Sequence, residues 1–183
     1  MHEVSLGGAI ADYLTGEALA RTTYEDLRQA LAKFLVEERE FDPSLLQPRF
    51  TVAYGVKGET HERQVDIAAF CSSGELCLFV VFCPGQVHTY AREVTALARL
   101  ALPLPCPLAV VTDMRAAELF AVSNGTILAT GLSALPVRGE VERLAAGYAY
   151  PPLSEGQREK ESRILHAYTG FLKTCCSESC SMS

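Results

Sequence analysis

The chain is 183 residues long, 49% hydrophobic and 21% charged, with 16 Lys+Arg against 22 Asp+Glu and a formal net charge of −6. That length and composition suffice for one folded domain with a substantial core, and they point away from a disordered chain. No apolar stretch reaches the ~18 residues of a membrane span, and no basic segment leads into an apolar run at the N-terminus, so a cytoplasmic protein with no membrane partner is expected. The acidic balance counts against a broad nucleic-acid-binding face, although a local basic patch is compatible with it.

Residues 1–22 read as an N-terminal extension to a core over 23–150. Thr23 to Glu40 carries Leu27, Ala30, Leu31, Phe34 and Leu35 at helical spacing, with Thr22 or Thr23 as cap and Glu25 and Asp26 in the first turn. Asp42-Pro43 breaks this helix. Phe50 to Tyr54 then reads as a strand, Lys57 to Glu62 as a hairpin connection and Val65 to Phe70 as the returning strand. After the Ser72-Ser73-Gly74 turn, Leu76 to Phe82 is almost continuously apolar, which suits a central strand buried on both faces.

Tyr90 to Leu102 returns to helical spacing, is stopped by Pro103, Pro105 and Pro107, and leads into the strand Leu108 to Thr112. This strand, helix, strand crossover predicts a parallel pair. Glu118 to Val122 and Thr126 to Ala129 form a hairpin around Asn124-Gly125, where the sheet ends. A C-terminal helix is expected over 151–174, opened by a capping box at Ser154 and Gln157 and running through Ile164, Leu165, Tyr168, Phe171 and Leu172. The Cys/Ser-rich tail 175–183 is small and polar enough to be mobile.

Helix, two strands, a buried third strand, helix and strand is the order of a PD-(D/E)xK nuclease core. Particular residues sharpen the likeness: Tyr24-Glu25-Asp26-Leu27-Arg28-Gln29, then Leu35-Val36-Glu37-Glu38, then Arg63-Gln64-Val65-Asp66-Ile67, and further on Val110-Val111-Thr112-Asp113, Glu118-Leu119-Phe120 and the Gly125 turn. In this order they resemble the N-terminal nuclease domain of type I restriction-enzyme R subunits. The resemblance implies an α/β fold with a restriction-endonuclease-like three-layer core, a mixed central sheet flanked by helices, plus the C-terminal helix.

Such nucleases activate a water on Mg²⁺, held by two acids beside a lysine; Glu-x-Lys on one strand puts both groups on one face, opposite an Asp on the neighbouring strand. The resemblance assigns that aspartate to Asp66. The stretch matching Glu-x-Lys is Val80-Val81-Phe82-Cys83-Pro84-Gly85, with Val81 and Cys83 where Glu and Lys are expected. Neither binds a hard cation. The family's later Gln-x-x-x-Tyr is not recognisable in Ala91 to Leu102. Glu93 or Glu75 could serve as a relocated acid, and Glu25 could add a metal contact, against its ordinary role as a first-turn acid.

Other clusters admit plainer readings. Cys83 with His88 could form a nucleophile pair, but no flanking signature supports it. Cys175, Cys176 and Cys180 could bind Zn²⁺ with a fourth ligand, and the remaining cysteines, Cys71, Cys77, Cys83 and Cys106, read as small core residues in a reducing setting. Arg28, Arg92 and Arg99 could line a nucleic-acid groove or simply pair with nearby acids. His2, His61, His88 and His166 share no ligand spacing and read as surface or loop residues. No phosphate-cradling Gly-x-x-x-x-Gly-Lys-Ser/Thr occurs, so no motor is encoded here.

The leading expectation is a catalytically inactive nuclease-like domain, a structural or binding module working through a protein partner or as a homodimer, with no cofactor. The alternatives are a Mg²⁺-dependent DNA endonuclease with a relocated acid, and a nucleic-acid sensor that binds without cleaving.

Overall fold

The fold is described from a computed structural model covering residues 3–83, 85–131 and 134–178, those from 170 onward as backbone only. A two-stranded antiparallel sheet, β1 (Ser5–Ala11) and β2 (Ala18–Thr22), leads into helix α1 (Thr23–Arg39). Then come β3 (Leu46–Val56), β4 (Glu59–Phe70) and β5 (Leu76–Phe82), helix α2 (Ala91–Arg99), and β6 (Leu108–Thr112), β7 (Ala117–Ala121) and β8 (Thr126–Thr130). Helices α3 (Arg138–Tyr148) and α4 (Glu155–Glu178) follow.

Strands β3 to β8 form one sheet in sequence order, antiparallel throughout except for the parallel β5–β6 pair that α2 connects. Alternation on the central strands divides the core into two layers. Leu78, Val80, Leu108 and Val110 meet Leu31 and Leu35 of α1 and Val141 and Ala145 of α3 on one face. Phe79, Val81, Ala109 and Val111 meet Val94 and Leu97 of α2 and Leu165 of α4 on the other. The result is a three-layer mixed α/β domain in which β5 and β6 are apolar because both their faces are covered.

Local signals explain most boundaries. Thr22 caps α1, its Oγ1 accepting the Glu25 amide proton at 3.0 Å. Ser154 and Gln157 exchange the two bonds of a capping box at the start of α4. Gly125, at φ 74, closes the β7–β8 hairpin.

The segment preceding α1 carries the β1–β2 hairpin within residues 5–22. Three expectations need correcting. The connection over Lys57 to Glu62 shrinks to Lys57-Gly58, because Glu59 to Gln64 pair with β3 as a polar continuation of β4. Helix α2 ends at Arg99 rather than Leu102, as the chain turns at Leu100 towards its prolines. Helix α3 was not foreseen: its entry residue Val137 makes no side-chain cap bond, and Gly139 and Gly147 dilute its apolar stripe. Backbone helix continues through Cys175 and Cys176 to Glu178; their side chains, and Cys180, lie outside the described residues.

Candidate functional site

Asp66 sits where β4 rotates. In the β3–β4 ladder Pro48 is opposite Ile67 and Phe50 opposite Val65, while Arg49, with φ 52, steps out between them. Val65 and Ile67, two apart on one strand, consequently point into opposite core layers. The Asp66 carboxylate is 7% exposed and both its oxygens are engaged. Tyr24 donates its hydroxyl proton to Oδ1 at 2.6 Å, and the Phe82 amide donates to Oδ2 at 2.8 Å. The side chain thus extends the β4–β5 ladder beyond its last backbone pair, Ile67 with Val80.

Tyr24 lies in the first turn of α1 and meets Phe82 edge-on, with centroids 5.5 Å apart. Burial drives the Asp66 carboxyl above its usual range, with the Tyr24 hydroxyl, the Phe82 amide, Arg63 and Arg28 pulling against it. Burial and the adjacent carboxylate push Tyr24 upward as well, so the phenol keeps its proton and remains the donor.

The sequence-matched neighbours do not converge on this carboxylate. Val81 and Cys83 belong to the apolar layer under α2, whereas Asp66 is tied to α1. Cys83 is fully buried, its thiol directed to the Gly85 carbonyl at 3.5 Å and pushed up by burial to about 11. It is a protonated core thiol; His88 is exposed on the turn preceding α2, and no hydrogen bond links the two. Glu93 is buried in the first turn of α2 and takes Arg63 at 3.0 Å. Glu75 lies before β5, in a cleft between the β4–β5 turn, the proline-rich segment after α2 and α3. Glu25 is bound by Arg28 and Gln29.

A Mg²⁺ ion takes six oxygen ligands in a tight octahedron. Here one buried carboxylate accepts one hydrogen bond on each oxygen, two others are held by arginines, and no three His, Cys, Asp or Glu side chains among the described residues come together to hold a metal ion. As arranged, these residues do not fit such a site.

The arginines considered for a nucleic-acid groove are engaged internally. Arg28 is buried between Asp12, at 2.9 Å, and Glu25. Arg92 and Arg99 of α2 both reach Glu161 of α4, at 2.7 and 2.8 Å. Burial pushes Asp12 up, but the Arg28 hydrogen bond and the Leu14 and Thr15 amides outweigh it and hold the carboxyl below its usual value. Asp12 and the roles of Tyr24 and Phe82 carry no spacing signal, because each contact is made by the fold. The same is true of His61 and His166. His61 lies partly exposed at the surface, on β4 rather than in a loop, with its ring 4.5 Å from that of His166 on α4.

No helix of the described residues is long and apolar enough to cross a membrane. No curated protein and no solved structure gives a significant match to the chain. The family model described as type I restriction enzyme R protein N terminus matches residues 23–136, from the first residue of α1 to just past β8 and over more than half of the chain. With more than half of its length matched, the chain belongs to the type I restriction enzyme R protein N-terminus family.

Proposed function

We propose that this domain keeps a nuclease-like PD-(D/E)xK core as a structural and protein-binding module and performs no metal-dependent cleavage. The observation carrying this reading is the engagement of both Asp66 oxygens by the Tyr24 hydroxyl and the Phe82 amide, with Val81 and Cys83 in the opposite apolar layer and no metal-holding cluster of acids among the described residues. A hydrolytic centre needs carboxylate oxygens free for the cation and a second acid beside them. The engagement of Arg28, Arg92 and Arg99 by acids of the same chain supports a protein rather than a nucleic-acid partner. Free thiols at Cys71, Cys77, Cys83 and Cys106 suit a cytoplasmic setting.

The test is incubation of supercoiled plasmid with the purified chain in Mg²⁺ or Mn²⁺, beside the Asp66→Ala variant. No nicking above that of the variant is expected; nicking that depends on Asp66 overturns the proposal. Duplex binding measured across a salt series separates the nucleic-acid sensor: a steep fall in affinity with salt, without cleavage, would favour it.

A further inference from the structure

Imidazole prefers borderline divalent metals such as Zn²⁺, Ni²⁺ and Cu²⁺, and two imidazoles on different elements hold them better than either alone. His61 and His166 meet that description. Their ring centroids are 4.5 Å apart and the rings are tilted by 48°. His61 stands opposite Tyr54 in the β3–β4 ladder, and the Tyr54 ring walls the pair at 5.6 Å from His61 and 6.4 Å from His166. Glu59 Oε2 lies 3.8 Å from His61 Nε2.

We propose that His61 and His166 form a surface site for a borderline divalent transition metal, fastening α4 to the β3–β4 hairpin. One nitrogen of each ring would approach the metal to about 2.0–2.1 Å, and a centroid separation of 4.5 Å brings the two rings within reach of a single ion. The rings are set in advance by packing: Leu165, one residue before His166, is fully buried in the layer under α2, and the ladder fixes His61. No third His, Cys, Asp or Glu side chain completes the shell among the described residues, so water fills the remaining positions and Glu59 accepts from an imidazole or a bound water. The site has the open, exchangeable character of a clamp rather than of a closed structural centre.

Metal bound to the native arrangement and not to the unfolded chain raises stability by mass action. The experiment is thermal unfolding of the tag-free 183-residue chain with and without NiCl₂, since Ni²⁺ binds imidazole well. A metal-dependent rise in Tm is expected for the native sequence and for His88→Gln, and its loss is expected in both His61→Gln and His166→Gln. Replacing Cys175, Cys176 and Cys180 by serine should leave the rise in place. The proposal is overturned if the native chain shows no rise, if either His61→Gln or His166→Gln retains it, or if the cysteine replacements abolish it.

Discussion

Tyr24 and Asp66, 42 positions apart in the chain, are joined by a 2.6 Å hydrogen bond that ties the first turn of α1 to the centre of the sheet. The same carboxylate receives the Phe82 amide, so one side chain fastens three elements. Such a tie stabilises the fold, whereas a catalytic acid held ready for a cation commonly costs stability. Asp66→Ala should therefore destabilise the domain by about 1–3 kcal/mol, through the buried donors left without an acceptor. Tyr24→Phe should cost less, about 1 kcal/mol, since the Phe82 bond survives. Urea unfolding measures both, and a more stable Asp66→Ala variant would point instead to a strained functional carboxylate.

Restoring the family's residue types at positions 81 and 83 should not restore chemistry. Both side chains lie in the apolar layer with Val94 and Leu97, and Cys83 is fully buried. A carboxylate and an ammonium placed there find only each other, in the layer away from Asp66, and desolvating the pair costs several kcal/mol. Val81→Glu with Cys83→Lys is expected to lower Tm sharply and to leave plasmid uncut in Mg²⁺. A folded double variant that nicks DNA would show that the two core layers rearrange more readily than their packing suggests.

Legibility along the sequence followed how local each signal is. Strands β5 and β6 were readable to the residue because burial on both faces leaves an uninterrupted apolar run, and the helix between them dictates the parallel pairing. The outer half of β4 was not, since Glu59 to Gln64 are polar and are held by pairing with β3 alone. Hairpin β1–β2 is almost entirely exposed and has Gly7 and Gly8 at positive φ, so it carries no alternating pattern. Within the site, Asp66 could be found from its neighbours in sequence, but its donors could not. Nor could the pairings of Asp12 with Arg28 or of His61 with His166, which exist only once distant elements pack.

Acid should weaken the domain in a defined window. Asp12 is held below the usual carboxylate range in the fold, with Arg28 and two loop amides prevailing over its burial. Glu142 is held down to about 2 by Arg138 and by the Ser72 amide and hydroxyl. A carboxyl whose value is depressed by folding contributes stability that is complete above its unfolded value, near 4, and is lost as pH falls through the folded value. Stability should thus decline from about pH 4 towards about pH 2, and Asp12→Asn should make that decline shallower while lowering stability at neutral pH. Equilibrium unfolding across this range checks it; an unchanged slope in Asp12→Asn would mean that other carboxyls carry the effect.

Helix α4 lies beyond the segment shared with the family, and its hold on the core passes through Glu161. That carboxylate is 6% exposed and serves two arginines of α2, while Leu165 fills the apolar layer one turn further on. Removing it leaves Arg92 and Arg99, both on α2, at a partly buried seam without their shared counter-charge. Because both arginines retain some access to water, the loss should be about 1–3 kcal/mol, below that of a fully buried triad. Glu161→Ala should expose α4 to limited proteolysis and speed amide exchange in it, with little change in β5 and β6. It should also free two cations, so weak, salt-sensitive duplex binding gained by this variant and absent from the native chain would show that α4 masks the basic side of α2. If exchange in α4 is unaltered, Leu165 and its neighbours hold the helix by apolar packing alone and the ion pairs are incidental.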